Sequence, residues 1–415
     1  MNNNFINHIT ERGFFNQCTN IDLLNLILKK PSVAYIGFDC TADSLHIGSL
    51  LPIMLLRAFQ KHGHVPIVLL GGGTTLIGDP SGKDETREIL TNEKIDQNKK
   101  KLKKIFSKFL SFDNKKNPAK ILDNYEWIKN LNYVNFIRDI GSQFSVNRML
   151  TFESVKQRLA REQHLSFLEF NYAIIQSFDF LELFKNHNCS IQFGGSDQWG
   201  NIISGIELIK KKIGKETIGL TTPLMITSSG QKMGKTNKGA IWLDNNKLNY
   251  YDYWQYWRNV DDKDVIKFLK LFTEIDTKEI NKFSKLSGSE LNKIKILLAN
   301  EVTKICHGEE FAKKAEQSSL KIFSERKIDK NIPEKNKLSI SKKKLIKFKS
   351  LKEYLVLLNL SKSLGESKRL IENGGVKINN KKIIDKNYII KEMDFDNNLI
   401  NISVGKKRNG LIEIC

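Results

Sequence analysis

Apolar residues along the first half of the chain change period several times, and each change predicts an element. Residues 33–38 (VAYIGF) form a short apolar run between polar flanks and predict a buried strand. Residues 48–61 are rich in Leu, Ile and Met and predict a helix. Residues 65–70 (VPIVLL) predict a second strand, closing on Gly71-Gly72-Gly73. A strand–helix–strand order with short connections predicts a parallel sheet with a right-handed crossover. Ligands of such sheets sit beyond the carboxyl ends of the strands, so the loops after Phe38 and Leu70 are the first candidates for a site. Residues 85–112 predict a Lys-rich amphipathic helix with a solvated face. Helical patterns continue over 151–187. Residues 192–201 read as a glycine-broken loop and 228–239 as a polar loop, and helices resume from about 249 to 326. Residues 327–348 lose periodicity, fill with Lys, Asn and Ser, and read as a linker. The expected organisation is an α/β domain over 1–227, a loop region over 228–248, an α-helical domain over 249–326, the linker, and a small α+β module over 349–415.

Composition changes this picture little, and charge changes it more. The chain has 415 residues, 40% hydrophobic and 27% charged, as expected of a globular protein. No apolar run approaches the roughly 18 residues that would span a bilayer. The N-terminal residues, with Glu11 and Asp22, do not resemble a targeting segment, so a cytoplasmic location is expected. Five scattered cysteines without a C-x-x-C pair exclude a disulfide framework or a zinc site, and no protein-bound metal is expected. The formal charge is +21, which favours polyanionic partners. Abundant Lys, Asn and Ile also fit an AT-rich coding sequence. Clustering is the better signal: residues 331–415 hold 19 basic and nine acidic residues, about half of the net charge.

Five constellations carry candidate chemistry. Tyr35-Ile-Gly37-Phe-Asp39-Cys-Thr41 leads to His46-Ile-Gly48-Ser49, joining a strand to a helix start with its free N–H groups and positive dipole end. There His46 and Thr41 could touch a phosphate chain, or His46 and Gly48 could merely open the helix. Gly78-Asp79-Pro80-Ser81-Gly82-Lys83 is one residue short of a phosphate-binding loop, but Asp79 at a strand-end crevice could hold an ammonium group. Tyr172, Gln176 and Asp179 stand at i, i+4 and i+7 on one face of a helix that is apolar almost all round. A buried polar stripe of this kind needs partners, supplied either by internal hydrogen bonds or by a ligand. In Gln192-Phe-Gly-Gly195-Ser-Asp197-Gln198, the glycines expose backbone and Asp197 can accept from sugar hydroxyls. Gly230-Gln-Lys232-Met-Gly234-Lys235-Thr236 suits a mobile clamp on phosphates, or a solvated lysine loop.

Taken together, these segments resemble the class I aminoacyl-tRNA synthetases. His46–Ser49 resembles the HIGH signature and Lys232–Thr236 the KMSKS signature. YIGFD…TADSLHIG, GDPSGK, FGGSDQWGN and KMGKT follow the order of bacterial tyrosyl-tRNA synthetases nearly end to end. The resemblance implies a Rossmann-like catalytic domain, a KMSKS-type loop, an α-helical domain and an RNA-binding module. It further implies tyrosine and ATP as substrates, Mg²⁺ carried with ATP, tRNA(Tyr) as partner and a homodimer. By resemblance, Tyr35 and Asp179 bond the substrate phenol, and Tyr172, Gln176 and Asp79 cage its ammonium group. Gln198 meets its carboxylate. Gly37, Asp39, Gly48, Ser49, Gly195 and Asp197 contact ATP or its ribose, and Thr41, His46, Lys232, Lys235 and Thr236 clamp the pyrophosphate. Ser49 stands where the family has His, and Cys40 where many relatives have Pro. Residues 351–415 resemble a small module shared with a ribosomal protein, on which Lys362, Lys368, Arg369, Lys377, Lys381 and Lys382 would meet RNA phosphates. The alternatives weighed are a tryptophanyl-tRNA synthetase and a non-catalytic RNA-binding relative.

Overall fold

The computed structural model describes residues 4–80, 90–228, 230, 233–236, 239–324, 334–340, 350–379, 381–391, 394–395, 399–405 and 408–414. The chain divides into two compact units, Met1–Glu316 and Gln317–Cys415. In the first, the expected strands form as β2 (Val33–Asp39) and β3 (Val65–Gly71), paired in parallel, with helix Leu50–Lys61 between them. With β1 (Gln17–Cys18), β4 (Lys120–Asp123), β5 (Cys189–Gly195) and β6 (Ile218–Thr222), they make a six-stranded sheet of order β1-β6-β5-β2-β3-β4. All pairings are parallel except that of β1 with β6. The strand order runs outward from β2 in one direction and from β5 in the other. The crevice between the carboxyl ends of β2 and β5 is therefore the topological switch point, where open α/β sheets bind ligands.

The sheet is covered on both sides. One core holds Phe38, Ile53, Leu56, Phe59, Phe106 and Phe193, and extends to the helices Tyr250–Arg258, Val265–Phe272 and Gly288–His307. Another packs Tyr35, Ile67, Leu69, Phe178, Phe180 and Leu181 around helix Tyr172–His187. At roughly 1.5–3 kcal/mol per buried large side chain, these layers dominate the unit's stability. Arg12 is also buried, and its guanidinium donates to the carbonyls of Lys270 and Thr273 at 2.7 and 2.6 Å. It thereby satisfies the carbonyl end of the helix Val265–Phe272.

Four expectations change. Residues 192–195 lie in the buried strand β5 rather than a loop, with a short 3-10 turn and then helix Trp199–Ile213 after it. Gly194 is there for packing: a Cβ on it would stand 3.0 Å from the Ile202 side chain and 3.1 Å from that of Gln198. The Lys-rich helix is shorter than expected, Asn92–Phe106, with a Thr91 side-chain cap. The helical pattern before His187 breaks at Asn171 into Phe167–Phe170 and Tyr172–His187. Within the expected linker, Lys337–Ile340 forms strand β9.

In the second unit β9 joins β10 (Val376–Ile378), β11 (Lys381–Ile383), β12 (Leu399–Val404) and β13 (Arg408–Ile414) in the order β11-β10-β12-β13-β9. β12 alternates half-buried and buried positions, so one face packs on the helices Leu351–Leu357 and Leu364–Glu372. These two short helices, the Gly374-Gly375 turn and the strands enclose a core of Leu355, Ile371, Val376, Ile378, Ile402 and Ile412. The module thus begins before residue 349. No helix of the described residues is long and apolar enough to cross a membrane.

Candidate active site

The switch-point crevice gathers polar side chains from four of the five segments singled out in the sequence, and the backbone of the fifth reaches its open end. At its deep end Tyr35 projects from β2, only 1% exposed, and its hydroxyl has no hydrogen-bond partner among the described residues. Gln192, its register partner on β5, is likewise buried with an unpartnered Oε1. Asp179, 2% exposed, lies close enough for its charge to raise the Tyr35 pKa, after burial the next largest cause. Its own carboxylate accepts from Asn124 Nδ2 at 2.9 Å and from Trp127 Nε1 at 2.8 Å. Burial pushes the Asp179 pKa up to about 7, against those two donors, with Asp39 and Asp123 adding to the rise. Other buried atoms, such as Thr303 Oγ1, also lack partners among the described residues, but Tyr35 and Gln192 stand on the two strands that flank the switch point, where a ligand would complete the bonding.

Above this lie two hydrogen-bonded groups. Tyr172 Oη donates to Asp39 at 3.3 Å, and Thr74 Oγ1 donates to the same carboxylate at 2.9 Å. Gln198 Nε2 donates to Asp79 at 2.9 Å, while Asn201 Nδ2 donates to Gln176 at 2.9 Å and to Gln198 at 3.2 Å. The polar stripe on helix Tyr172–His187 is therefore satisfied by other segments of the chain. The glycine run explains how β3 admits these neighbours. A Cβ on Gly71 would collide with Asp39 and Thr74, and one on Gly72 with Asp123.

At the open end, His46 caps a 3-10 turn, Ile47–Ser49, with its Nδ1 accepting from Gly48 N at 3.0 Å. A Cβ on Gly48 would lie 2.9 Å from the carbonyl oxygen of Met233, and one on Gly234 would lie 2.8 Å from His46 Nδ1. Gly234 has φ +127°, a conformation that suits glycine. The two signature-like segments thus touch through glycines. The backbone of Lys235 and Thr236 forms strand β7, paired with β8 (Gly239–Ala240). Lys232, Ser81, Gly82 and Lys83 lie outside the described residues, as do the side chains of Lys235 and Thr236. Gly37 and Thr41 are exposed beside the crevice, Ser49 stands at the start of the helix Leu50–Lys61 without a side-chain cap bond, and Gly195 abuts the exposed Asp197.

Residues 28–324 match the family of class I tRNA synthetases for tryptophan and tyrosine, and residues 351–396 match the S4 domain. A tyrosine–tRNA ligase of Pelagibacter ubique (strain HTCC1062) is 50% identical over 413 residues, covering 99% of this chain and all of that one. A tyrosine–tRNA ligase of Rickettsia massiliae (strain Mtu5) is 50% identical over 412 residues, with the same coverage. Among solved structures, a C-terminally truncated mitochondrial tyrosyl-tRNA synthetase of Aspergillus nidulans superposes with a TM-score of 0.69 at 29% identity, covering 77% of this chain and 94% of that one. The chain belongs to the tyrosine–tRNA ligase family.

Against the pattern of this ligase family, the structure adds residues that the sequence reading passed over. Asn124 and Trp127 hold Asp179, and Asn124 also receives Gly73 N at 2.7 Å, tying the glycine run to the pocket floor. Asn201 links Gln176 to Gln198. Position was the available signal, since Asn124 and Trp127 directly follow β4 at the same sheet edge as Asp39 and Gly71. Within the chain, Tyr172 bonds Asp39, a residue expected on the nucleotide side, while Gln198 bonds Asp79, both of them expected around the substrate amino acid. In the second unit, Lys362, Lys368, Arg369, Lys377, Lys381 and Lys382 are all exposed, and Lys377 pairs across the β10–β11 hairpin with Lys382.

Proposed function

We propose that the chain activates L-tyrosine with ATP to tyrosyl-adenylate and transfers it to the 3′ end of tRNA(Tyr), with Tyr35 and Asp179 reading the phenolic hydroxyl. The observation that carries this reading is the pairing of an unpartnered, buried Tyr35 hydroxyl with a buried carboxylate already fixed by Asn124 and Trp127. A tyrosine ring inserted there supplies the missing partner. A ring lacking the hydroxyl leaves these groups unpaired, a form of rejection for which tyrosyl-tRNA synthetases are themselves the standard illustration. Asp79, Gln176 and Gln198, linked through Asn201, form an acceptor-rich collar suited to the α-ammonium and carboxylate. Asp39, Gly37, Gly195 and Asp197 then face the adenosine, with Gly48 and Ser49 beside them.

The reaction needs no protein nucleophile. The substrate carboxylate attacks the α-phosphate, and the chain contributes positioning and charge stabilisation as pyrophosphate leaves. His46, Thr41, Lys232, Lys235 and Thr236 are assigned to that departing group. Gly48 N–H fixes His46 Nδ1 as an acceptor, so the neutral ring carries its proton on Nε2 as a donor. Mg²⁺ enters on the triphosphate in this reading, since the nearby carboxylates Asp39 and Asp79 are engaged by Thr74, Tyr172 and Gln198. The helical region is taken as a separate domain from about residue 249 of the first unit. The S4 module meets tRNA phosphates through its exposed lysines and Arg369. Exposed Tyr133, Val134, Ile137, Val146, Phe167 and Leu168, all between β4 and helix Tyr172–His187, support a homodimer. A cytoplasmic location fits these partners.

The deciding assay is exchange of labelled pyrophosphate into ATP with each amino acid. Exchange driven by tyrosine and not by tryptophan or phenylalanine is expected. Exchange with tryptophan would transfer the chain to the sister branch, and RNA binding without any exchange would make it a non-catalytic relative.

A further inference from the structure

We propose that Trp242 is a positioning residue for His46, coupling the backbone of the β7–β8 hairpin to the phosphate-binding imidazole; this rests on the assignment of His46 above. Residues 45–47 and 241–243 form a short antiparallel ladder. Ile47 N donates to Ile241 O at 2.9 Å, Leu243 N donates to Leu45 O at 2.8 Å, and His46 faces Trp242 across the bridge. The β7–β8 hairpin grows directly out of this ladder, with Ile241 N donating to Gly234 O at 3.2 Å. The imidazole of His46 is confined between Gly48, Gly234 and the Trp242 ring, which approaches it edge-on with centroids 6.3 Å apart.

Trp242 is itself held. Lys247 Nζ sits 4.8 Å from its ring centroid, and the same ammonium pairs with Asp43, three residues before His46. Asp43 also accepts from Lys101 at 2.7 Å, which ties the clasp to the helix Asn92–Phe106. Lys108 Nζ and Cys306 Sγ both donate to Leu243 O, at 3.0 and 3.5 Å, so the base of the loop is fixed from two further directions. Strand β7 follows directly on Gly234, so the backbone of the hairpin is anchored to the same wall against which His46 rests. Such a clasp fixes the imidazole of His46 at the open end and leaves tyrosine binding, at the buried end, untouched.

The test is single-turnover adenylate formation by the full-length chain, with tyrosine Kd measured separately. Trp242→Ala is expected to slow adenylate formation on the order of 10- to 100-fold, as misplacement of a catalytic group does. Tyrosine Kd is expected to stay within about twofold, and Trp242→Phe is expected to recover most of the rate. Lys247→Met, which keeps the fold's apolar contacts, is expected to give a smaller loss in the same step. In the His46→Ala background, Trp242→Ala is expected to add little, because both changes remove one function. If His46→Ala slows the step but Trp242→Ala leaves it unchanged, or if the two losses multiply independently, the coupling is overturned. If His46→Ala itself changes nothing, the assignment of the phosphate end falls instead.

Discussion

The two ends of the crevice are built on different physical plans. At the deep end, proposed above to hold tyrosine, Tyr35 and Asp179 stand on a strand and a helix, and Asp179 has both oxygens bonded within the chain. At the open end, proposed above to hold the phosphates, the described walls are turns, glycines and a two-stranded hairpin, and contact between segments runs through Gly48 and Gly234. The first plan suits recognition, because a buried polar group that is not matched costs about 1–3 kcal/mol. The second suits a step in which charge develops and a loop closes late. Selectivity and rate are thus expected to be separable by mutation.

The sharpest break in that comparison comes from Asp179→Ala. It removes the acceptor for the substrate hydroxyl and strands the donors of Asn124 and Trp127. Tyrosine-dependent exchange is expected to fall on the order of 10²- to 10³-fold, with circular dichroism unchanged. Undiminished exchange would remove Asp179 from the site. Lys235→Ala should act at the other end, slowing adenylate formation by roughly 100-fold with tyrosine affinity nearly constant. Equal losses in both quantities would mean that the two ends are not independent. Asn124→Ala should cost less, about 10-fold in tyrosine affinity, because Trp127 still holds one oxygen of Asp179. Equilibrium binding of tyrosine reads this directly.

A pH series gives the smallest signal. The folded-state pKa of Asp179 is raised, to about 7, so the folded protein keeps a proton that the unfolded chain releases near pH 4. Its contribution is therefore fully present at low pH and is lost as pH rises towards and through 7. Denaturant midpoints of the wild-type chain should fall relative to those of Asp179→Asn between about pH 4 and 7. A constant difference would place the titration elsewhere. His8 and His64, pushed down to about 4 mainly by burial, act in the opposite sense in both proteins and cancel in the comparison.

The central strands and the polar stripe at the deep end of the crevice were largely legible from the run and spacing of their residues. Val33–Asp39 and Val65–Gly71 are continuous apolar runs, and Tyr172, Gln176 and Asp179 share one face of a helix. β5 was hidden because Gly194 and Gly195 imitate a turn, although Gly194 makes room for Ile202 and Gln198 and Gly195 for Asp197. β9 was hidden because four residues of mixed polarity carry no period, and only pairing with β13 makes them a strand. Asn124 and Trp127 were invisible for a related reason. Their role is to bond a side chain more than fifty positions away, and no local pattern encodes that.

The place of β13 in the second sheet has a consequence for how the chain is made. β9 leaves the ribosome well before β13, yet its sheet neighbour is β13, and β13 also bridges β9 to β12. The catalytic unit can complete its own sheet while the S4 module is still waiting for its inner strand. A nascent chain halted just short of residue 408 would carry a finished synthetic centre attached to an RNA-binding module that cannot close.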